Sequence, residues 1–236
     1  MEEFMTLLTF PANLFLAVLW VAVCIITTRG RKFPVRFTTI SSISLFLASC
    51  IYIGISGNRD FVHSLFFIIV LFYLQTTLLI VLVRGFRTPA GKIRYRFILN
   101  HAGLLIAISS AFWGHPDNEK LRMVLNVGET SHTAYRQDGG TAYLKEEITL
   151  KEIDAESYTA SVSIDGSDES ISVNHPFSSG LAQDIYIIST GRNEISGKEY
   201  CIFEIVREPW KYFALCGIIM MLCGAVLLFI KGPRSC

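Results

Sequence analysis

Between Trp113 and Trp210, in the one sizeable polar stretch of this chain, there is a single cysteine, and that shortage removes several chemistries at once. Of six cysteines in 236 residues only Cys201 falls there, and one thiol makes neither an internal disulfide nor a CxxC redox site. CxxCH is absent throughout, so the chain is not itself a c-type cytochrome. A phosphate-binding glycine loop, HExxH and GxSxG are absent as well, and no Asp or Glu lies inside a long apolar run. A self-contained enzyme of the common classes is therefore not expected. Cys216 and Cys223 stand beside Gly217 and Gly224 without a four-ligand set, a pattern that suits a helix-packing seam of small residues better than a metal site. Ser42, Ser49 and Ser56, spaced by seven, read the same way.

What the chain has in abundance is apolar sequence: 51% of residues are hydrophobic and the mean hydropathy is +0.44. Five runs are long enough for a bilayer, which takes ~17–25 helical residues. They are Met5–Thr28, Phe37–Gly57, Phe61–Val83, Phe97–Trp113 and Tyr212–Ile230. The expected fold class is an integral membrane protein with about five transmembrane helices and one external β-rich domain before the last helix. Residues 1–113 form a four-helix membrane part, 114–208 the external domain, and 209–236 the last helix with a cytoplasmic tail.

Charge sets the orientation. The link after the first run carries Arg29, Arg31, Lys32 and Arg36, and the link after the third carries Arg84, Arg87, Lys92, Arg94 and Arg96, with no acid in either. Such loops stay cytoplasmic, and Lys231 with Arg234 falls on the same side if the N-terminus is outside. Glu2 and Glu3 suit an exported N-terminus and not the positive start of a cleaved signal peptide, so the first run is read as retained. From His115 to Glu208 there are 17 Asp or Glu against 8 Lys or Arg, which argues against nucleic acid and against an anionic surface as partner.

Within that acidic region ITLKEI, YTASVSI, ESISV, DIYIIS and EYCIFEIV have the alternation and β-branched content of strands. Asp165-Gly166, Asn174 to Pro176 and Thr190-Gly191 punctuate them. A small antiparallel sheet or sandwich follows. Asp117 to Tyr143 is less regular and is read as a loop or pairing arm. Trp113 and Trp210, at the two membrane exits, are read as interfacial anchors.

One ionisable residue lies well inside an apolar run. His101 is five residues beyond Arg96, and an intramembrane histidine is first a candidate ligand, relay or interhelical hydrogen-bonding group. At 100° per residue His101, Leu105, Ile108 and Phe112 share one face, with Gly103, Ala107, Ser110 and Gly114 opposite. The small residues admit a neighbouring helix, which leaves the histidine face for something bulkier. A planar macrocycle with imidazole as axial ligand to iron suits it. A neutral histidine bonded to a carbonyl of the next helix suits it too. His63 near the outer mouth of the third run, His115 and His175 before prolines, and His132 in a polar stretch are read as interfacial or turn residues.

Three segments carry a resemblance. FILNHAGLLIAISSAFWGHPDNEKLRMVLNVGE, ISVNHPFSSGLAQDIYIIS and FEIVREPWKYFALCGIIMMLCGAVLLFI resemble, in that order, the membrane-to-domain junction, the V-N-H-P…G…I-Y segment and the last span of ResB-type (CcsB-type) cytochrome c biogenesis proteins. The resemblance implies a membrane subunit of a system II assembly complex in a bacterial inner (plasma) membrane, with residues 114–208 periplasmic. It implies His101 as axial ligand to the iron of a transient haem b, shared with a CcsA-type tryptophan-rich partner, and apocytochrome c as client. The chain departs from the family in having four runs before the external domain where three are usual, in a short domain, and in Leu181-Ala182-Gln183-Asp184 before Ile185-Tyr186. The WGxxWxWD segment of the CcsA-type part is absent, so the resemblance makes this chain an accessory subunit of a cytochrome c haem lyase with no complete active site. Two other readings are a non-catalytic membrane scaffold or sensor with a protein-binding external domain, and a transporter subunit.

Overall fold

The structure, a computed structural model, describes residues 9, 11–28, 34–87, 91–154, 156–194 and 197–231. Glu2, Glu3, the start of the first apolar run at Met5, the basic residues Arg29, Arg31 and Lys32, and Arg234 with Cys236 lie outside the described residues. The chain divides into two compact units, residues 1–115 with 210–236, and residues 116–209.

The first unit is helical: α1 (Ala12–Thr28), α2 (Val35–Ser56), α3 (Leu65–Gly85), α4 (Tyr95–Gly114) and α5 (Lys211–Lys231). Four of these, α2 to α5, are long and apolar enough to cross a membrane, and α1 is a shorter apolar helix of 17 residues. Local chemistry sets their ends. Gly57 adopts φ 64° and returns its N–H to Ile53 O at 3.0 Å to close α2, a left-handed cap that glycine reaches without steric cost. Asn58 Oδ1 accepts from Asp60 N to start the 3-10 turn Arg59–His63, and Ser64 Oγ accepts from Phe67 N to start α3, each satisfying an orphan N–H.

The small face of α4 packs as its composition requires. A Cβ on Gly103 would stand 2.6 Å from Gly217 O, and one on Gly217 would stand 2.6 Å from Gly103 O and 2.7 Å from Ala107 N, so α4 and α5 cross backbone to backbone. Gly224 lies against the Asn100 side chain and Gly114 against the Trp210 ring. The seam is made of the glycines; Cys216 and Cys223 beside them are exposed. Trp210 is buried on Gly114, and Trp113 lies in a ring cluster with Trp20, Phe72 and Phe112. Both tryptophans thus take part in the packing of the helical unit. Ser42 and Ser49 are buried, with hydroxyls bonded to Thr39 O and Leu45 O of their own helix, whereas Ser56 is exposed.

The second unit is one antiparallel sheet of eight strands in the order β5-β4-β3-β2-β1-β8-β7-β6. Its strands are β1 (Glu119–Asn126), β2 (Thr130–Arg136), β3 (Thr141–Asp154), β4 (Thr159–Ile164), β5 (Ser167–Ser172), β6 (Phe177–Ser179), β7 (Gln183–Arg192) and β8 (Glu199–Arg207). Asp165 and Gly166 both take positive φ, 48° and 84°, the two-residue hairpin geometry that matches strand twist. One face is apolar: Leu121, Met123, Leu125, Ile148, Leu150, Val162, Ile171, Ile185, Phe203 and Ile205 are fully buried together. Register shifts at Ser131/Thr133, Leu150/Glu152 and Ile187/Ser189 mark β-bulges, which sharpen the local bend. The sheet curls until β5 lies against β6 and β7.

Polar side chains fasten the curl. Glu119 accepts from Arg136 Nε at 2.7 Å and from Arg207 Nη1 at 3.0 Å; Arg207 Nε donates to Gln183 Oε1 at 2.8 Å, and Gln183 Nε2 to Glu146 Oε2 at 3.2 Å. The Ser179 hydroxyl also donates to Glu146. Through these contacts Glu146 on β3 holds β6 and β7, which stand at the other end of the strand order. Burial pushes the Glu146 carboxyl up, but the hydrogen bonds and the charge of Arg207 outweigh it and hold it below its ordinary range.

Two expectations change here. Asp117 to Tyr143 holds two ordered strands: β1 pairs with β8 over its whole length, from Glu119↔Arg207 to Asn126↔Tyr200. Thr190-Gly191 is not a turn but lies inside β7, paired with Cys201 and Tyr200. A Cβ on Gly191 would stand 2.7 Å from Tyr200 Cζ; the glycine is there because a cross-strand aromatic ring covers it.

Candidate functional site

His101 sits on α4, a turn and a half from the helix start. Its Nδ1 is 2.9 Å from Phe97 O, the carbonyl four residues back. A carbonyl only accepts, so Nδ1 carries the proton and Nε2 presents its lone pair. Among the described residues Nε2 has no hydrogen-bond partner. The alternative of a bond to a neighbouring helix is replaced by a bond within the same helix. This is the outer contact that metal-ligating histidines use, one ring nitrogen fixed by a carbonyl and the other turned outward.

The ring is also held by stacking. The Phe97 ring stacks on the imidazole with centroids 4.0 Å apart and planes inclined by 28°, and the Arg94 guanidinium covers Phe97 at 4.7 Å. Gly85, the last residue of α3, makes room for this column, since a Cβ there would stand 2.5 Å from Phe97 Cζ. Arg94 Nη1 in turn donates to Gly85 O at 3.3 Å. A cation, an aromatic ring and an imidazole are thus stacked at the basic end of α4, with one donor nitrogen of the set left open.

The rest of the histidine face is not free. Leu105 is buried in a cluster with Cys24 of α1 and Leu79 of α3, and Phe112 faces Phe72 at 6.1 Å. The pocket expected from Leu105, Ile108 and Phe112 is therefore filled by the bundle itself. The exposed seam of α4 runs through Leu104 and Ala111, one-sixth to one-quarter of a turn from His101 at ~100° per residue.

Three further polar contacts lie between the helices. Asn13 Nδ2 donates to Trp113 O at 2.8 Å, Trp20 Nε1 to Thr76 Oγ1 at 3.1 Å, and Ser109 Oγ to Gln75 Oε1 at 3.1 Å. Gln75 is fully buried, and its Nε2, like Trp113 Nε1, has no acceptor among the described residues. Outside the bundle core, His63 and His115 come together with ring centroids 5.6 Å apart, a pairing across 52 positions of sequence for which no local pattern exists. His132 lies 5.6 Å from Tyr143. No group of three or more His, Cys, Asp or Glu is placed to hold a metal among the described residues. Cys201 is fully buried and burial pushes its thiol up to about 12, so it is no nucleophile.

No described protein family matches the chain, and no curated protein matches it. The geometry of His101, fixed at Nδ1 and open at Nε2, is what the functional reading rests on.

Proposed function

We propose that this chain is an integral membrane subunit of a ResB-type cytochrome c assembly complex, which holds haem through His101 and works with a CcsA-type tryptophan-rich partner. The observation that carries the reading is the His101 imidazole, fixed at Nδ1 by Phe97 O and open at Nε2, on a helix long and apolar enough to cross a membrane. An ionisable group at such a depth is costly and calls for a ligand. The residues present would suit haem: His101 Nε2 would supply a nitrogen donor, Leu104 and Ala111 an apolar edge, and Arg94 and Arg96 cations for the propionates. Bound there, haem supplies the vinyl groups that apocytochrome CxxCH thiols add to. This chain's part is to coordinate, orient and neutralise, and attachment falls to the partner.

A second ligand to the iron would come from the CcsA-type partner, as a shared site requires. The basic links at Arg84–Arg96 put the histidine end of α4 on the cytoplasmic side, where haem is made, and the acidic eight-stranded sheet on the outer side, where the apocytochrome is.

The test is His101→Gly in the complex of this chain with its CcsA-type partner. The haem that co-purifies is expected to fall, and added imidazole to restore part of the Soret and α bands by entering the vacated volume. Unchanged haem content and spectrum remove His101 as a ligand; a wild-type complex with no haem returns the chain to a scaffold.

A further inference from the structure

The geometry points to a transition-metal site formed by His63 and His115, independent of His101 and of the haem reading. Each imidazole is delivered by a braced piece of backbone. His63 ends the 3-10 turn Arg59–His63, which is capped by Asn58 at one end and by Ser64 N bonded to Phe61 O at the other. Phe61 of that turn is wedged among Tyr52, Phe66 and Phe67, at centroid distances of 4.7, 6.1 and 6.0 Å. His115 is the C-terminal cap of α4 in helical geometry, φ −55° and ψ −43°, directly after the Gly114–Trp210 contact.

The separation suits one ion between two rings. A metal–nitrogen bond of about 2.0 Å and a further ~1.1 Å to each ring centre place two imidazole centroids ~5 Å apart at a tetrahedral angle and ~6 Å apart when opposed. The observed 5.6 Å, with the rings tilted by 31°, lies in that interval. It is too wide for stacking contact, and the two rings share no hydrogen bond among the described residues. The field favours a cation as well: His115 stands where the last carbonyls of α4 point, the negative end of the helix dipole. Asp60 is three residues before His63 in a 3-10 turn, where positions i and i+3 eclipse and so share a face.

Two neutral imidazoles select a borderline first-row divalent ion, with Cu2+ bound more tightly than Zn2+. With no third protein ligand within reach, water completes the coordination, so the site is exchangeable and open to solvent. Occupied, it ties the α2–α3 connection to the end of α4.

The experiment uses the haem-free full chain in detergent, purified without a histidine tag, titrated with Cu2+ and read by electron paramagnetic resonance. One equivalent is expected to bind with hyperfine structure from two nitrogens. His63→Gln and His115→Gln should each raise the dissociation constant at least tenfold and leave one nitrogen, while His132→Gln changes neither. Both replaced side chains are exposed, and circular dichroism of the variants checks that the helices persist. Equal affinity and a two-nitrogen signal in either pair variant overturn the assignment, as does loss confined to one of the two.

Discussion

The α4–α5 crossing permits a quantitative test. Alanine at Gly103 places a methyl group 2.6 Å from Gly217 O and 2.9 Å from Met221 N; alanine at Gly217 places one 2.6 Å from Gly103 O and 2.7 Å from Ala107 N. These are backbone atoms, so no side-chain rotation relieves the overlap, and ordinary contact at 3.4 Å or more requires the helices to part by roughly 0.8 Å. Overpacking of a tight interface costs ~1–3 kcal/mol, offset by up to ~1 kcal/mol of helix propensity gained over glycine. Each single substitution is therefore expected to lose ~0–3 kcal/mol. The sharper expectation concerns the pair, because one separation accommodates both methyl groups. The double variant should cost less than the sum of the singles, by more than the ~0.5 kcal/mol within which independent sites add. Gly54→Ala on α2 meets nothing within 4 Å and is the control, neutral or stabilising. Reversible unfolding of the full chain in mixed micelles, followed by tryptophan fluorescence, measures all four. Additive losses, or a Gly54→Ala loss as large as that at Gly103, refute the backbone-to-backbone crossing.

Two other outcomes are expected. Glu146 titrates below its ordinary value of 4.5 when folded, so its contribution is present above that value and is lost as pH falls through the folded pKa. Near-ultraviolet circular dichroism should show Glu146→Gln less stable than wild type at neutral pH but with a shallower loss below about pH 4.5; parallel pH profiles would discount the carboxylate. For orientation, in a cysteine-free background an impermeant maleimide applied to intact cells should label Asp138→Cys and spare Gly91→Cys; the reverse pattern overturns the proposed topology.

What the sequence disclosed follows from where the information is local. The helices were legible because each is a long apolar run, and β3, β4, β5, β7 and β8 because β-branched residues alternate along them. The strand EKLRMVLN was not, since Leu, Met, Lys and Arg favour helix as readily as strand; only its partner β8 decides it. Gly191 was misread because a glycine covered by a ring from the next strand looks, in one dimension, like a turn. At the site, the small and large faces of α4 were readable from spacing. The filling of the Leu105 face by Cys24 and Leu79 was not, being a contact among three helices distant in sequence. The hydrogen bond from His101 to Phe97 O, by contrast, is an i to i−4 relation and belongs to the local kind.

The pairing of β1 with β8 fixes an order of events during biogenesis. Every other pairing in the sheet joins strands consecutive in the chain, so β1 to β5 and β6 to β8 can assemble as two hairpin stacks as each emerges. The seam between them joins Glu119 to Arg207, 88 positions later, and cannot close until β8 has been made. Loop closure over that span is the entropically expensive step, and β8 is followed within four residues by α5. The sheet is thus completed only as α5 follows β8 in synthesis. A chain without β8 leaves β1, with Leu121, Met123 and Leu125, lacking its partner strand, an open edge of the kind that pairs with other chains.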